Sequence, residues 1–563
     1  MRKSLSILLT ALVLAGCANR GVGPQGGPKD SIPPMAVKSV PENGAVNFTG
    51  RRIEITFNEY VQLDNVSANL LMSPPQQRPP DVKARGKRVL IQFADSLRDS
   101  TTYTIDFGDA ICDYTEKNPV HGYSFGFSTG PTIDTLETTG VVLDAENLKP
   151  LKGIIVGIHE DLSDTAFTTK TFLRIARTDS TGHYRIGNMH AGTYRLYAVD
   201  DVSRDYRLTP GESIAFAEGT ISVTAPDTTA ADSLLHSDTL YLFKPMQQRL
   251  YLQRTTREEQ HRIRLTFSSS PDSLPVIRPL TDSLRYNMYF SPHHDTVTIW
   301  LLDSTSIRPD SLYFEVHYRR TDSLYHLEWA TDTVLARWRA PRLSARALEA
   351  QERQRRNRRL GLKSNASKRF DIYDTLRLEA ATPLALIREE AIHLYERKEK
   401  DTTVYPVPFT IETHDSLPMQ LLFIAQLLPG RKYELSLDSA ALEDVYGVTH
   451  IAGSYPLTLK TPEDYSTIRV TIDPFDPKMR IQVLNAKEKV LREQSAQPDG
   501  ALFRYLKPDA YFLRMYRDSN GDGQWTTGSW EDKRQPEKVY TNPMKIQTKS
   551  NWDFEETWTY DAQ

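Results

Sequence analysis

The sequence predicts an all-β fold, a series of tandem β-sandwiches with one short basic helical linker, and three observations carry that prediction. Apolar and polar residues alternate with period two: Ile53, Ile55 and Phe57 against Arg52, Glu54 and Thr56, then Val89, Ile91, Phe93 and Tyr103, Ile105, Phe107. Each run is of strand length, buries one face, and is bounded by Pro, Gly, Asn or Asp. Similar runs recur at Ile263 to Phe267, Val297 to Leu301, Phe314 to Tyr318, Leu376 to Ala380, Tyr433 to Leu437 and Val470 to Ile472, a density that suits sandwiches. The 563 residues allow about four domains at ~150 residues each, or more if the units are small.

Taken in order, the chain opens with Arg2 and Lys3, an apolar run from Leu5 to Leu14, and Leu14-Ala15-Gly16-Cys17. This is the order of a secretory signal, and the run is too short to span a bilayer. The four residues resemble the lipobox of bacterial lipoproteins. That resemblance implies cleavage before Cys17 and acylation of its thiol, so that residues 1–17 are a signal peptide and the protein meets the membrane through a lipid anchor. An ordinary signal peptide with a chance cysteine is the competing reading. Residues 18–32, rich in Gly and Pro, form a flexible leash. Of the two cysteines only Cys112 then remains, so no internal disulfide is expected, and its apolar neighbours Ala110 and Ile111 place it in a core.

Residues 33–131 open with Pro41-Glu42-Asn43-Gly44-Ala45 and continue through Ile53-Glu54-Ile55-Thr56-Phe57-Asn58-Glu59 and Thr101-Thr102-Tyr103 to Phe125-Gly126-Phe127-Ser128-Thr129. The unit resembles the bacterial Ig-like domain of S-layer proteins. Residues 134–226 carry Thr178-Asp179-Ser180-Thr181-Gly182-His183-Tyr184, followed by Ala191-Gly192-Thr193-Tyr194. Asp179 and Gly182 shape a turn, while Tyr184, Ile186, Tyr194 and Leu196 alternate into a core. These spacings resemble the carboxypeptidase regulatory-like fold, a prealbumin-like sandwich that is an accessory domain and implies no peptidase activity.

Both modules return downstream. Residues 369–462 contain Leu428-Pro429-Gly430-Arg431-Lys432-Tyr433 and Leu457-Thr458-Leu459-Lys460-Thr461, which again resemble the Ig-like pattern. In residues 463–563 the segment from Tyr511 to Gly528 aligns without gaps on Tyr194 to Gly211. Between the pairs, residues 238–341 read only as a β-sandwich of unclear family. Residues 342–368 hold Arg342, Arg346, Arg353, Arg355, Arg356, Arg358, Arg359, Lys363 and Lys368 among good helix formers, so a basic helix is expected. It reads as a solvated linker or as an anchor for anionic phosphates. The full arrangement resembles lipoproteins of the Bacteroidetes, which implies an outer-membrane location on either the surface or the periplasmic face.

One stretch has metal-ligand spacing. Asp518, Asn520 and Asp522 present oxygens at alternate positions with Gly523 at the sixth, as at the start of a calcium loop, and the carbonyl of Gln524 would follow. Ser529 stands where a calcium loop places its closing glutamate, so Glu531 or Asp532 would have to close the site. The alternative is a tight turn with no calcium. H-E-x-x-H and P-loop motifs are absent, which points away from an enzyme. His159-Glu160-Asp161 reads as a surface cluster at a strand end. Trp525, Trp530, Trp552 and Trp558 crowd the last unit, as a glycan platform or as packing. A net charge of -3 gives no electrostatic case for nucleic acid. Two functional classes remain: a non-enzymatic scaffold or interaction subunit with a protein partner in the cell envelope, and an adhesin-like module that binds glycan.

Overall fold

A computed structural model describes residues 30–224, 237–245, 249–281, 283–322, 326–339, 344, 346, 349, 358–398, 403–414 and 416–561. Cys17, the signal segment and the leash up to residue 29 lie outside the described residues, as does nearly all of the basic segment before Arg358. The all-β class holds. Helical elements such as Val66–Asn69, Ala166–Thr169 and Ser304–Ile307 are single turns, Arg346 and Glu349 of the basic segment are helical, and strands make up most of the rest. The chain divides into two compact units, one of residues 1–142, 150–208 and 216–240, the other of residues 143–149, 209–215 and 241–563.

The first unit holds the first sandwich and most of the second. In the first sandwich one sheet has the order Ala36–Val40, Arg52–Phe57, Arg88–Gln92, Asp81–Arg85, and the other Leu71–Ser73, Thr102–Asp106, Ser124–Ser128. A two-stranded ribbon, Val61–Leu63 with Ile111–Asp113, sits apart from both. The period-two residues face inward as expected: Ile53 pairs with Ile91 and Ile55 with Val89, all fully buried with Tyr103, Phe125 and Phe127. The second sandwich has sheets ordered His183–Met189, Leu136–Asp144, Ser237–Leu242 and Arg174–Arg177, Ile155–His159, Gly192–Val199, Ile214–Val223.

Within this unit the sandwiches are joined by polar contacts. The buried Arg174 guanidinium donates to the carbonyl of Thr102 and faces Asp134 at 3.4 Å. Ile175 N–H donates to Ser73 Oγ at 3.1 Å, and Thr104 Oγ1 bonds Asn188 Oδ1 at 2.7 Å.

The second unit holds three sandwiches. The third sandwich pairs Leu252–Glu259, Arg262–Phe267, Thr296–Leu301 and Tyr286–Phe290 in one sheet, and Val276–Pro279, Ser311–Thr321 and Leu327–Arg337 in the other. With its seven strands lettered A to G, this is the ABED/CFG order of a constant-type Ig domain. The sequence left this unit without a family because no turn motif marks it.

The fourth sandwich repeats the strand order of the first. Leu362–Ser364, Leu376–Ala380, Leu417–Ala425 and Phe409–His414 form one sheet, Leu384–Ile387 pairs with Leu442–Asp444 as a ribbon, and Ile392–Arg397, Lys432–Leu437 and Gly453–Thr458 lie in the other sheet. Its only addition is the edge strand Val404–Pro406. The fifth repeats the order of the second: Ala501–Leu506, Ser466–Asp473, Trp552–Thr559 against Val490–Ser495, Met479–Leu484, Ala510–Arg517, Val539–Gln547.

Two expected boundaries move. Ser237–Leu242 completes the second sandwich, so the third begins after it and not at residue 238. The basic segment is helical at Arg346 and Glu349 but not at its far end, where Leu360 is buried and Leu362–Ser364 pairs with Leu376–Ala380. Leu360 and Leu362 alternate toward the core, and that burial outweighs helix propensity. The second unit reaches back to residues 143–149 because Arg514 of the fifth sandwich donates to the Glu146 carbonyl at 3.0 Å.

Tyrosine placement unites the repeated modules at residue level. Tyr103 and Tyr433 each accept a backbone N–H from five residues upstream, Arg98 at 2.7 Å and Leu428 at 2.8 Å. Tyr194 and Tyr511 are buried, and each donates to a carbonyl four residues upstream, that of His190 or Lys507.

Candidate functional site

An exposed apolar surface lies on the three-stranded sheet of the third sandwich. Ser311–Thr321 and Leu327–Arg337 pair without interruption from Ser311 opposite Arg337 to Thr321 opposite Leu327. Alternation sends Leu312, Phe314, Val316 and Tyr318 into the core. It therefore turns Tyr313, His317, Trp329 and Leu335 outward. Trp329 is 59% exposed and Tyr313 48%, with Val276, Leu280, Leu327 and Leu335 exposed around them. The ladder explains their neighbourhood. Tyr313 stands opposite Leu335 and Val276 opposite His317, while Leu280 N–H donates to the Tyr313 carbonyl at 2.9 Å.

The surface is held in shape. The His317 and Trp329 rings stack at 4.9 Å with a 6° angle between planes, and His317 Nδ1 bonds Thr331 Oγ1 at 2.9 Å. Arg319 pairs with Asp272 at 2.6 Å at the rim. An apolar centre with aromatic anchors and a charged rim is the anatomy of a protein–protein contact patch. Period-two counting registered only the buried half of the Phe314 to Tyr318 run. The signal that would have found the patch is the second apolar set, Tyr313, Trp329 and Leu335, on the alternate positions.

The loop at Asp518 turns as sharply as its glycines require, with Gly521 and Gly523 both at positive φ. Its carboxylates face its own backbone. Asp518 Oδ1 accepts from Gly521 N–H at 2.6 Å and Oδ2 from Gly523 N–H at 2.9 Å; Asp522 accepts from Gln524 N–H at 2.7 Å and from the Asn520 amide at 2.9 Å. The bond from Gln524 N–H holds the Asp522 carboxyl below its usual range. Glu537, distant in sequence, accepts from Ser519 N–H at 2.6 Å and Thr526 N–H at 3.0 Å. Glu531 and Asp532 lie instead on the next turn, with Ser529 Oγ 2.9 Å from Asp532. Asp518, Asn520 and Asp522 are thus brought together, but the turn closes on hydrogen bonds. Among the described residues no group of three or more His, Cys, Asp and Glu side chains is placed to hold a metal ion.

The four tryptophans do not share an exposed plane. Trp558 is buried in the fifth core, Trp525 is half-buried and donates from Nε1 to the Glu537 carbonyl at 3.0 Å, Trp530 is half-buried, and Trp552 is exposed. His159 is no surface group either. It is 3% exposed, its ring 5.0 Å from that of Phe172 and 5.9 Å from that of Tyr197, and burial brings its pKa down to about 4. Cys112 is buried and free, and burial raises its thiol pKa, which keeps it protonated and unreactive. No helix among the described residues is long and apolar enough to cross a membrane.

Comparison with known proteins adds one firm likeness. Residues 30–129, the first sandwich with its entry strand, match the family described as "Bacterial Ig-like domain". No curated protein sequence matches the chain. Among solved structures, the N-terminal part of the bacterial S-layer protein SbsC is 10% identical, with a TM-score of 0.17, over 31% of this chain and 44% of that one. The matched region thus spans less than half of that structure. The TIE protein of Bacillus anthracis is 9% identical, with a TM-score of 0.13, over 99% of this chain and 79% of that one. The major pilin subunit of Bacillus cereus is 8% identical, with a TM-score of 0.14, over 75% and 98%.

Proposed function

We propose that the protein is a lipid-anchored, non-enzymatic scaffold of the bacterial cell envelope that binds a protein partner through the outward face of its third sandwich. The observation that carries the reading is that face. Six large apolar side chains stand exposed on a sheet where alternation would normally place polar ones. Trp and Tyr at the centre of such a patch are the residues that most often dominate binding. The envelope location rests on the lipobox resemblance of Leu14 to Cys17 and agrees with the bacterial Ig-like match. A glycan-binding role has less support, because the tryptophans of the last unit are divided between core, turn and surface.

The test is site-specific photocrosslinking in intact cells, with the probe at position 329 and, as control, at Arg264, exposed on the other sheet of the same sandwich. A discrete product from 329 and none from 264 is expected. Trp329→Lys and Tyr313→Lys should each weaken co-isolation of that same partner by an order of magnitude or more, the scale of ~2 kcal/mol for a hot-spot residue. Equal products from both positions, or co-isolation unchanged by both substitutions, would refute the assignment.

A further inference from the structure

The four-stranded sheet of the first sandwich turns one face to the core and the other to solvent, and the solvent face is basic. Ile53, Ile55, Val89 and Ile91 are fully buried, so the alternate positions of these strands point outward. The register lines them up. Lys38 stands opposite Thr56, Thr56 opposite Arg88 and Arg88 opposite Arg85, a row with three cations across four strands spaced ~4.8 Å apart. Arg52 and Lys83 lie on the same face, whose acids on these strands are Glu54 and Asp81, so five cations meet two acids. Glu54 is shared between Arg52 at 3.1 Å and Arg88 at 3.0 Å, and Asp81 pairs with Lys83 at 2.5 Å. Lys38 and Arg85 meet no acid among the described residues. Like charges directly opposite, as at Arg85 and Arg88, cost a sheet stability, and an external anion over them offsets that cost.

The fold does not require such a face. The fourth sandwich has the same strand order, and on the corresponding sheet Lys363 stands opposite Glu379, while Arg377 and Glu412 both lie opposite Leu422. Two cations there are matched by two acids. The excess charge therefore belongs to one copy of the module, the copy that follows the lipobox. Cys17 precedes Asp30 by thirteen residues, which reach ~45 Å at most when fully extended, and the chain then enters this same sheet as its edge strand Ala36–Val40. Along that entry Met35, Val37 and Val40 are 61%, 62% and 59% exposed, apolar side chains beside the cationic row. Cations over phosphates, with apolar groups at the headgroup boundary, are the means by which a protein surface rests on an anionic bilayer.

We propose that this face, with Lys38, Arg85 and Arg88 in its leading row, lies on the anionic headgroups of the membrane that carries the lipid anchor. The choice of a bilayer over another polyanion rests on the anchor reading of Cys17. The face orients a tethered protein and does not replace the tether, because a net excess of three charges, screened by salt, binds weakly and is lost on washing once the acyl group is gone.

Vesicle co-sedimentation of the chain from residue 17 carrying Cys17→Ala, which has no acyl group, tests the face apart from the anchor, while acyl labelling of the wild type tests the anchor alone. At ~0.05 M salt, binding to phosphatidylcholine vesicles containing roughly one-third phosphatidylglycerol should exceed binding to pure phosphatidylcholine about tenfold or more, and ~0.5 M salt should erase the difference. Lys38→Glu with Arg85→Glu should bring binding to the anionic vesicles within about twofold of the phosphatidylcholine value. Arg264→Glu with Lys487→Glu, the same change of charge at exposed positions of other sandwiches, should leave most of the preference in place. Slow hydrogen exchange of Arg52–Phe57 reports that the first double variant is folded; if it is not, Lys38→Gln with Arg85→Gln takes its place, with a smaller loss of the same preference expected. Absence of a preference for anionic vesicles would overturn the proposal. So would a preference that survives the changes at 38 and 85, an equal loss in the control pair, or capture by a soluble acidic polysaccharide of a chain that ignores anionic vesicles.

Discussion

His159 shows how one side chain can make an entire sandwich sensitive to acid. With its folded pKa near 4 against an ordinary value of 6.5, the unfolded chain takes up a proton between those values and the folded chain does not. Its contribution is therefore intact above pH ~6.5 and is lost as pH falls toward 4, in all about 3 kcal/mol. Asp161 works against the shift and Lys170 with it. His159→Leu should flatten this dependence, read as hydrogen exchange of Ile155–His159 and Gly192–Val199 at pH 7 and pH 4.5. Asp371 of the fourth sandwich acts in a lower window. Burial opposes its ionisation, but Lys460 and Lys507, each at 2.6 Å, and Tyr465 at 2.8 Å bring its pKa down to about 2. Its stabilisation is present above pH ~4 and fades toward pH 2, so Asp371→Asn should lower the melting temperature at pH 7 and leave little difference at pH 2. Cys112 could be read from its apolar neighbours, whereas His159 could not. All five residues of Ile155–His159 are buried, because the strand is central to its sheet, and so no alternation distinguishes its last member.

At the level of single elements, the turn from Asp518 to Gly523 and the junction at Arg174 make opposite points about what spacing encodes. The turn's own ligands to its backbone, Asp518 and Asp522, are spaced in the sequence as they act in the structure. Glu537 is not, and it reaches Ser519 and Thr526 only because the chain returns. Since hydrogen bonds already close the turn, Glu537→Ala should lower the melting temperature of the fifth sandwich by the equivalent of ~2 kcal/mol, the cost of leaving two N–H groups unmet. Calcium and chelator should give superimposable melting curves by calorimetry; a calcium-dependent rise abolished by Asp518→Ala would instead establish the metal reading. Arg174 had no sequence signal at all, since what it binds is a carbonyl of another sandwich. Arg174→Met should cost about 2 kcal/mol and expose the Thr102–Asp106 strand to faster hydrogen exchange, while the core of the fourth sandwich is unaffected.

Across the whole molecule, one four-strand sheet order with its separate ribbon occurs in the first and fourth sandwiches, and a common seven-strand order in the second and fifth. The repeat was legible because turn and corner residues keep their spacing even where core residues change. The boundaries near 238 and 369 were not, because a strand supplied after a long connection carries no local mark of the sheet it joins. At this scale Cys17→Ala should move the protein from the membrane fraction to the soluble one, with acyl labelling of the wild type alone; retention of the variant in the membrane would refute the lipid anchor. The late strands have a temporal meaning as well. Trp552–Thr559 lies parallel to Ser466–Asp473 over eight residue pairs and brings Trp558 into the core, and Ser237–Leu242 takes the matching place in the second sandwich. Each of these modules is begun by its first strand and finished by its last. A nascent chain must therefore keep the flank of Ser466–Asp473 unpaired until Trp552–Thr559 has been synthesised, and quality-control proteases have until then to find it.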